Sequence, residues 1–364
     1  MQIFNVTAIL EQLAPLSYQE SYDNSGLIVG DPLMTLNGIL ITLDVTPEVI
    51  DEAHQKGLNL IVSHHPIIFS GLKKITGKTY VEQAVIKAIK NDIAIYAAHT
   101  NLDSVKGGVN SRIGDKLGLT NLKFLKQLEG ELVKLVVFVP AKEAERVRKA
   151  MYDAGAGQIG NYDCCSYNLE GEGTFRAVEG ANPFVGKINE LHVEAEIRVE
   201  VIVQKTRISK VVKKMISVHP YEEVAYDIYP LLNSYNEVGM GMIGELIEPI
   251  SEIDFLKKVK KDFGLKVIRH TSLLGKKIKR VAFCGGSGAF LINQAIASEA
   301  DIFITGDVKY HQFFDAEGKI VIADIGHFES EQYTIDIFYE YLLKNFSKFA
   351  VLKTEINTNP INYI

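Results

Sequence analysis

The stretch Leu58-Asn59-Leu60-Ile61-Val62-Ser63-His64-His65-Pro66 decides how the rest of the chain is read. The run over 58–63 is too short for a helix, and its Leu60-Ile61-Val62 centre is apolar without alternation. That pattern predicts a strand covered on both faces, as in a parallel sheet flanked by helices. Working outward, the same grammar repeats. Asn5 is placed to cap a helix whose apolar stripe is Val6, Ile9, Leu10 and Leu13, stopped by Pro15. A second apolar strand covers 38–45. Thr46-Pro47 then supplies a cap and a first-turn proline for a helix ending near Gly57. A helix over 81–90, a strand over 93–97 and a helix over 109–117 follow. This β-α-β-α rhythm predicts an α/β layer with a largely parallel sheet.

The last third has similar grammar. A helix starts after Ser251 with Phe255, Val259 and Phe263 on one stripe. A strand over 280–284 meets the turn Gly285-Gly286-Ser287-Gly288, followed by a helix over 290–300, strands over 301–305 and 319–323, and a helix over 328–345. The middle reads differently. A strand over 133–139 and a helix over 141–154 precede strand-like segments within 158–169 and 173–176. The alternation of Val193, Ala195, Ile197, Val199 and Val201 marks a half-exposed antiparallel strand over 190–204. A helix over 207–217 and a strand over 223–228 complete β-α-β-β-α-β, the order of a ferredoxin-like unit. The expected fold is therefore α/β: a discontinuous core of two similar halves, 1–128 and 237–364, interrupted by a ferredoxin-like α+β insert, 129–236.

Composition narrows the function. At 364 residues, 47% hydrophobic and 23% charged, the chain is neither disordered nor collagen-like. Lys plus Arg is 39 against 45 Asp plus Glu, a net charge of −6 without basic tracts, which argues against a dedicated nucleic-acid binder. No apolar run is long enough for a bilayer, and Met1-Gln2-Ile3-Phe4-Asn5 lacks a signal-peptide pattern, so a cytoplasmic protein without a membrane partner is expected. Cys164, Cys165 and Cys284 make no disulfide framework and fit reduced thiols.

The chemistry sits at strand ends. Adjacent strand residues point to opposite faces, so His64 and His65 share one site only where the strand breaks, and Pro66 puts the break there. Ligands bind at such ends in open α/β sheets. His99-Thr100-Asn101-Leu102-Asp103 leaves another strand end. His327 and Glu331, four apart at the start of the last helix, share a face, and Gly326 lets the chain turn before them. Each group alone has an ordinary explanation: Asp103 as a cap, His327 and Glu331 as a solvated face. Together, at the ends of one layer, they point to a metal site. Imidazole and carboxylate without thiolate suit Zn, Fe, Mn, Ni or Co. Five ligands (His64, His65, Asp103, His327, Glu331) exceed the three of a catalytic zinc. They can hold two divalent ions about 3.5–4 Å apart, an arrangement suited to hydrolysis.

Other residues keep two explanations open. Glu331 is a candidate proton acceptor. His99 and His311 either orient ligands and relay protons or are simply hydrogen-bonded. Asp307 and Tyr310 lie on the same sheet edge as candidate substrate contacts. Gly286 and Ser287 can offer backbone N–H groups to a phosphate, though tight packing also demands glycine. Asp23-Asn24-Ser25-Gly26 has turn chemistry. In the insert, His219, Tyr221, Glu222 and Glu223 fit a ligand sensor, a subunit contact or strand-entry packing.

The motifs Tyr22-Asp23-Asn24-Ser25-Gly26-Leu27 with Val29-Gly30, Ser63-His64-His65-Pro66, Ala98-His99-Thr100-Asn101-Leu102-Asp103, Gly285-Gly286-Ser287-Gly288, Thr305-Gly306-Asp307-Val308-Lys309-Tyr310-His311 and Gly326-His327-Phe328-Glu329-Ser330-Glu331 occur in order along the core. In them the chain closely resembles the Nif-three-like family of dinuclear-metal proteins, the GTP cyclohydrolase I type 2 homologues. The insert, with His219-Pro220-Tyr221-Glu222-Glu223, resembles the PII and CutA domain of the long bacterial form. The resemblance implies two metal ions on His64, His65, Asp103, His327 and Glu331, and a ring-shaped homohexamer. It also implies GTP cyclohydrolase chemistry on a nucleotide or other small-molecule substrate: metal-bound hydroxide attacks C8 of guanine, opens the ring and releases formate. The alternative is a hexameric metal-binding regulatory or interaction protein without turnover.

Overall fold

In the computed structural model, which describes residues 1–364, the first helix, α1 (Ile3–Leu13), begins ahead of the expected cap. Gln2 is the capping position, and Asn5 sits inside the first turn, its Oδ1 accepting from Gln2 N at 2.9 Å. A short unforeseen strand, β1 (Gly26–Val29), comes next. β2 (Gly38–Thr42), α2 (Pro47–Gln55), β3 (Leu60–Ser63), α3 (Tyr80–Lys90), β4 (Ala94–Ala97), α4 (Thr100–Asp103) and α5 (Val109–Leu117) then follow the expected rhythm. Thr46 and Thr79 cap α2 and α3 by accepting from Val49 N and Glu82 N. β5 (Thr120–Leu128) ends the first half.

The middle comprises β6 (Leu132–Pro140), α6 (Ala144–Asp153), β7 (Tyr167–Arg176), β8 (Leu191–Gln204), α7 (Ile208–Val218) and β9 (Tyr226–Pro230). Of the two strand-like segments expected within 158–169 and 173–176, residues 158–166 are turn and loop with one isolated bridge, Ile159 to Tyr162, and a single strand, β7, runs on from Tyr167 through the second segment. The last part holds β10 (Tyr235–Ser251), α8 (Glu252–Asp262), β11 (Arg269–His270), β12 (Lys277–Ser287), α9 (Ile292–Ala297), β13 (Ile302–Gly306) and β14 (Val321–Asp324). It closes with α10 (His327–Glu331), α11 (Thr334–Asn345) and β15 (Ala350–Lys353). The single helix expected over 328–345 is broken at Gln332-Tyr333 into α10 and α11.

The chain forms two compact units, residues 1–127 with 236–364, and residues 128–235. The first unit holds two sheets, ordered β1-β4-β3-β2-β15 and β11-β14-β13-β12-β10-β5. β2, β3 and β4 run parallel, as do β12, β13 and β14. The centre of β3 is fully buried on both faces, as its unalternating sequence requires. Val49, Ile50 and Ala53 of α2 and Ala84, Val85 and Ala88 of α3 pack on the first sheet. The second unit has the sheet order β7-β8-β6-β9, the arrangement of a ferredoxin-like fold. Val147 and Met151 of α6 and Val211 and Met215 of α7 cover its inward valines, among them Val137, Val199 and Val201. No helix is long and apolar enough to cross a membrane.

Within the first unit the halves exchange edge strands. β5 joins the sheet of the second half, and β15 pairs in parallel with β2 of the first, Ala350 against Gly38 through Lys353 against Ile41. A buried carboxylate fixes the chain beyond β15. Glu52 accepts from Lys56 Nζ at 2.7 Å, from Glu355 N at 2.9 Å and from Thr354 Oγ1. Burial opposes its ionisation, but these donors outweigh it and lower its pKa. A depressed pKa contributes stability that is present above the unfolded value of about 4.3 and lost as pH falls through the folded value. Glu52→Gln should therefore cost about 1–3 kcal/mol at pH 7, with the gap to the parent narrowing in acid. Urea midpoints measured at neutral and acid pH check this, and a gap that widens in acid would contradict it.

Candidate metal centre

Each half of the first unit delivers imidazoles at the C-terminal end of a central strand. Ser63 ends β3 fully buried, and its Oγ bonds the His65 carbonyl at 2.9 Å, where the chain turns and both following rings reach one cluster. From the other half, Gly326 (φ 91°) turns the chain after β14 to start α10 with His327, and Glu331 follows one turn on. Gly306 permits this approach, since a Cβ there would lie 2.9 Å from the His327 backbone.

Three imidazoles have their Nδ1 committed to acceptors. His64 Nδ1 lies 2.9 Å from the Ala98 carbonyl, His65 Nδ1 2.8 Å from Asp44 Oδ1, and His327 Nδ1 2.7 Å from Asp307 Oδ2. A carbonyl or carboxylate oxygen can only accept, so each Nδ1 carries the proton and each neutral ring turns an Nε2 lone pair inward. Those lone pairs converge. His65 Nε2 and His327 Nε2 are 3.2 Å apart, and each is 3.0 Å from Glu331 Oε2. His64 Nε2 lies 3.6 Å from Glu331 Oε1 and 3.7 Å from Asp103 Oδ1. Buried His64 Nε2, Asp103 Oδ1 and Glu331 Oε2 have no hydrogen-bond partner. Acceptors facing acceptors require either protons or cations between them.

The titration pattern follows from this crowding. Loss of hydration and the nearby Glu331 push Asp103 well above the usual carboxylate range. Burial works against the charge on Glu331, yet the surrounding imidazoles hold it well below its usual value. Burial likewise opposes protonation of His65 and His327, but the Asp44 and Glu331 carboxylates raise His65 to about 10, and Glu331 with Asp307 raises His327 to about 9. Fully buried His64 is shifted down. The cluster thus holds protons where a cation would otherwise sit.

Three groupings bring ligand atoms close enough to hold a metal ion: His64-His65-His99, His65-His327-Glu331 and His64-Asp103-Glu331. All five residues expected to ligate are therefore in one place, and His99 joins them. His99 Nδ1 lies 2.8 Å from Asp23 Oδ1, and Asp23 Oδ2 also accepts from Thr100 N at 3.0 Å and from Ser25 Oγ. The Asp23-Asn24-Ser25 turn is thereby stapled to the loop after β4. Asp44, which orients His65, was not foreseen; it follows β2 at the same sheet edge as the histidines, and that position was the available signal. Asp307 is half-exposed and holds His327. Tyr310 and His311 do not line the cavity, and their rings pack 5.2 Å apart, beside Phe314.

Ser287 of the glycine turn lines the cavity, whereas the N–H groups of the three glycines are turned to partners within the protein. Gly285 N donates to Asn110 Oδ1, Gly286 N to Ser330 Oγ and Gly288 N to Thr305 Oγ1. Its glycines serve packing: Gly286 has φ 61°, and a Cβ on it would lie 2.3 Å from Glu331 Oε1. In the insert, His219 Nε2 meets the Phe138 carbonyl at 3.1 Å, and Tyr221 OH donates to Glu196 at 2.8 Å. Glu222 Oε1 accepts from Asn182 N, so this junction is knitted into its own unit. Gly286→Ala should destabilise the protein by about 1–3 kcal/mol through left-handed strain and displacement of Glu331. An unchanged urea midpoint would show that the carboxylate moves aside freely.

Comparison with known proteins agrees with this architecture. The model of the family Duf34/NIF3 (NGG1p interacting factor 3) matches residues 1–360. A Halalkalibacterium halodurans protein named GTP cyclohydrolase 1 type 2 homolog is 42% identical over 99% of this chain and 98% of its own. A Bacillus subtilis protein of the same name is 36% identical over the same shares. The crystal structure of a Bacillus cereus protein related to NIF3 superposes with a TM-score of 0.88 at 39% identity, covering 100% of this chain and 99% of that one. With residues 1–360 covered by the family model and relatives up to 42% identical along nearly the whole chain, the chain belongs to the Duf34/NIF3 family.

Proposed function

We propose that the cluster is the dinuclear metal centre of a hydrolase acting on a purine nucleotide or a related heterocyclic compound. One observation carries the proposal: the two oxygens of buried Glu331 face two different ligand sets, Oε2 toward His65 and His327, Oε1 toward His64 near Asp103. A carboxylate so placed is a natural bridge. Zn, Fe, Mn, Ni or Co suit the donors. When bound, two such ions supply a water-derived nucleophile at neutral pH and polarise a substrate oxygen.

The chain's own groups do the rest. Asp44, Asp307 and the Ala98 carbonyl lock the three rings in the tautomer that offers Nε2, and so preset the ligand geometry. His99, held through Nδ1 by Asp23, lines the cavity with Nε2 left to accept a proton from the reacting group. The name borne by the relatives favours GTP cyclohydrolase chemistry, in which attack at guanine C8 releases formate. The free Cys164, Cys165 and Cys284 fit action in the cytoplasm. The homohexamer implied by the sequence resemblance is proposed as the working assembly.

Metal-reconstituted protein should hold two ions per chain by atomic emission and release formate from GTP, GMP or guanosine. Asp103→Asn should lose about one ion, and Glu331→Ala both, together with turnover. Two bound ions with no formate from any of the three would remove the cyclohydrolase assignment. One ion in the parent would remove the dinuclear one. Collapse of the Glu331→Ala assembly on light scattering would instead favour a structural metal.

A further inference from the structure

The cavity over the cluster, about 830 Å³, is charged at its floor and aromatic at its mouth. Tyr22, Phe69, Tyr80 and Phe290 line it, and each is between 51% and 62% exposed. Scattered exposed rings need no explanation, but four around one cavity mark a binding surface. Two of them are joined to the centre. The Tyr22 and Phe69 rings are 6.1 Å apart, Phe69 is 6.0 Å from the His99 ring, and His99 is 5.3 Å from both His64 and His65. A planar ring stacked on Phe69 would therefore present its edge to the cluster.

The charges around this wall restrict what else the ligand carries. Glu20, Asp44, Asp103 and Glu331 line the cavity, and Lys126 is the single lysine or arginine that does so. Two divalent ions would offset the four carboxylates, leaving Lys126 as the one unmatched cation. The glycine turn adds no backbone donors from Gly285, Gly286 or Gly288, because those N–H groups are bonded internally. A triphosphate bears about four negative charges and would meet one lysine.

We infer that the cavity selects a planar heterocycle, stacked on the Tyr22–Phe69 wall, that carries no more than one anionic group: a nucleoside or nucleoside monophosphate rather than a triphosphate. Tyr22 and Phe69 are the specificity-determining residues for the ring, and Lys126 for the single anion. The inference rests on the proposed hydrolase site for its substrate class, but not on turnover for its test.

The chain contains no tryptophan, so 2-aminopurine riboside, whose fluorescence is quenched by stacking, can be titrated into the metal-reconstituted protein without indole background. Quenching should saturate, and guanosine and GMP should compete, with GTP no stronger than GMP. Phe69→Ala and Tyr22→Ala should each weaken probe binding about tenfold, within the range typical of base–aromatic stacking. Lys126→Ala should weaken GMP but leave guanosine unchanged. The metal content of all three variants should equal that of the parent, which separates this outcome from failure of the metal centre. No quenching, quenching indifferent to Phe69 and Tyr22, or GTP binding tenfold tighter than GMP would each overturn the inference.

Discussion

A buried carboxylate, Glu331, stands 3.0 Å from two imidazole nitrogens and 3.6 Å from a third, and each of these can donate to it only by taking up a second ring proton. Burying such a charge is costly unless a cation or protons compensate it. Much of the local architecture exists to hold this arrangement. Asp44 and Asp307 take the Nδ1 protons from one side, the Ala98 carbonyl from another, and Gly286 leaves out the Cβ that would collide with Glu331. The residues are therefore in place without a cation, and a cation bound here would take the place of protons on His65 and His327.

Such a centre tolerates little relative motion of its two sources, since functional geometry must be held to about half an ångström. His64 and His65 hang from one sheet, His327 and Glu331 from the other. The exchange of edge strands answers that demand: β5 of the first half is hydrogen-bonded into the second sheet, and β15 of the second into the first. The tail past β15 extends the same logic. Glu52 pins Thr354 and Glu355, Thr358 Oγ1 bonds Asp44 at 2.8 Å, and Asn359 reaches Glu329 at 3.3 Å. Asp44 is thus held between the terminal segment and His65. The stability of the C-terminus and the orientation of a site imidazole are coupled through one side chain.

What the sequence made legible follows the strength of local signals. The buried strand over 60–63, the Thr46-Pro47 and Ser251 caps and the helix over 109–117 were all readable because period, cap and breaker agree there. β5, β10 and β15 were not. Their sequences mix apolar and charged residues because each lies toward an edge or crosses between halves, and only tertiary pairing makes them strands. The break at Gln332-Tyr333 was hidden because neither proline nor glycine marks it. The site itself was legible because its residues cluster at strand ends. Asp44 was not, because an aspartate after a strand is ordinarily a turn residue and its role appears only when His65 is placed beside it.

The glycine turn shows where motif and physics part. Gly285-Gly286-Ser287-Gly288 between a strand and a helix has the look of a phosphate loop, and both structural options demand glycine. The destination of the backbone N–H groups separates them. Asn110, Ser330 and Thr305 take those of Gly285, Gly286 and Gly288, while the missing Cβ atoms make room for Glu331 and for Cys284. The glycines of the turn therefore serve the carboxylate under the cavity rather than an anion within it. Groups other than those glycines are what the cavity offers a ligand: the imidazoles and carboxylates, Ser287, one lysine and the exposed aromatic rings. Fold-level analogy alone would have assigned the glycines to a nucleotide's phosphates; the hydrogen bonds assign them to the geometry of Glu331.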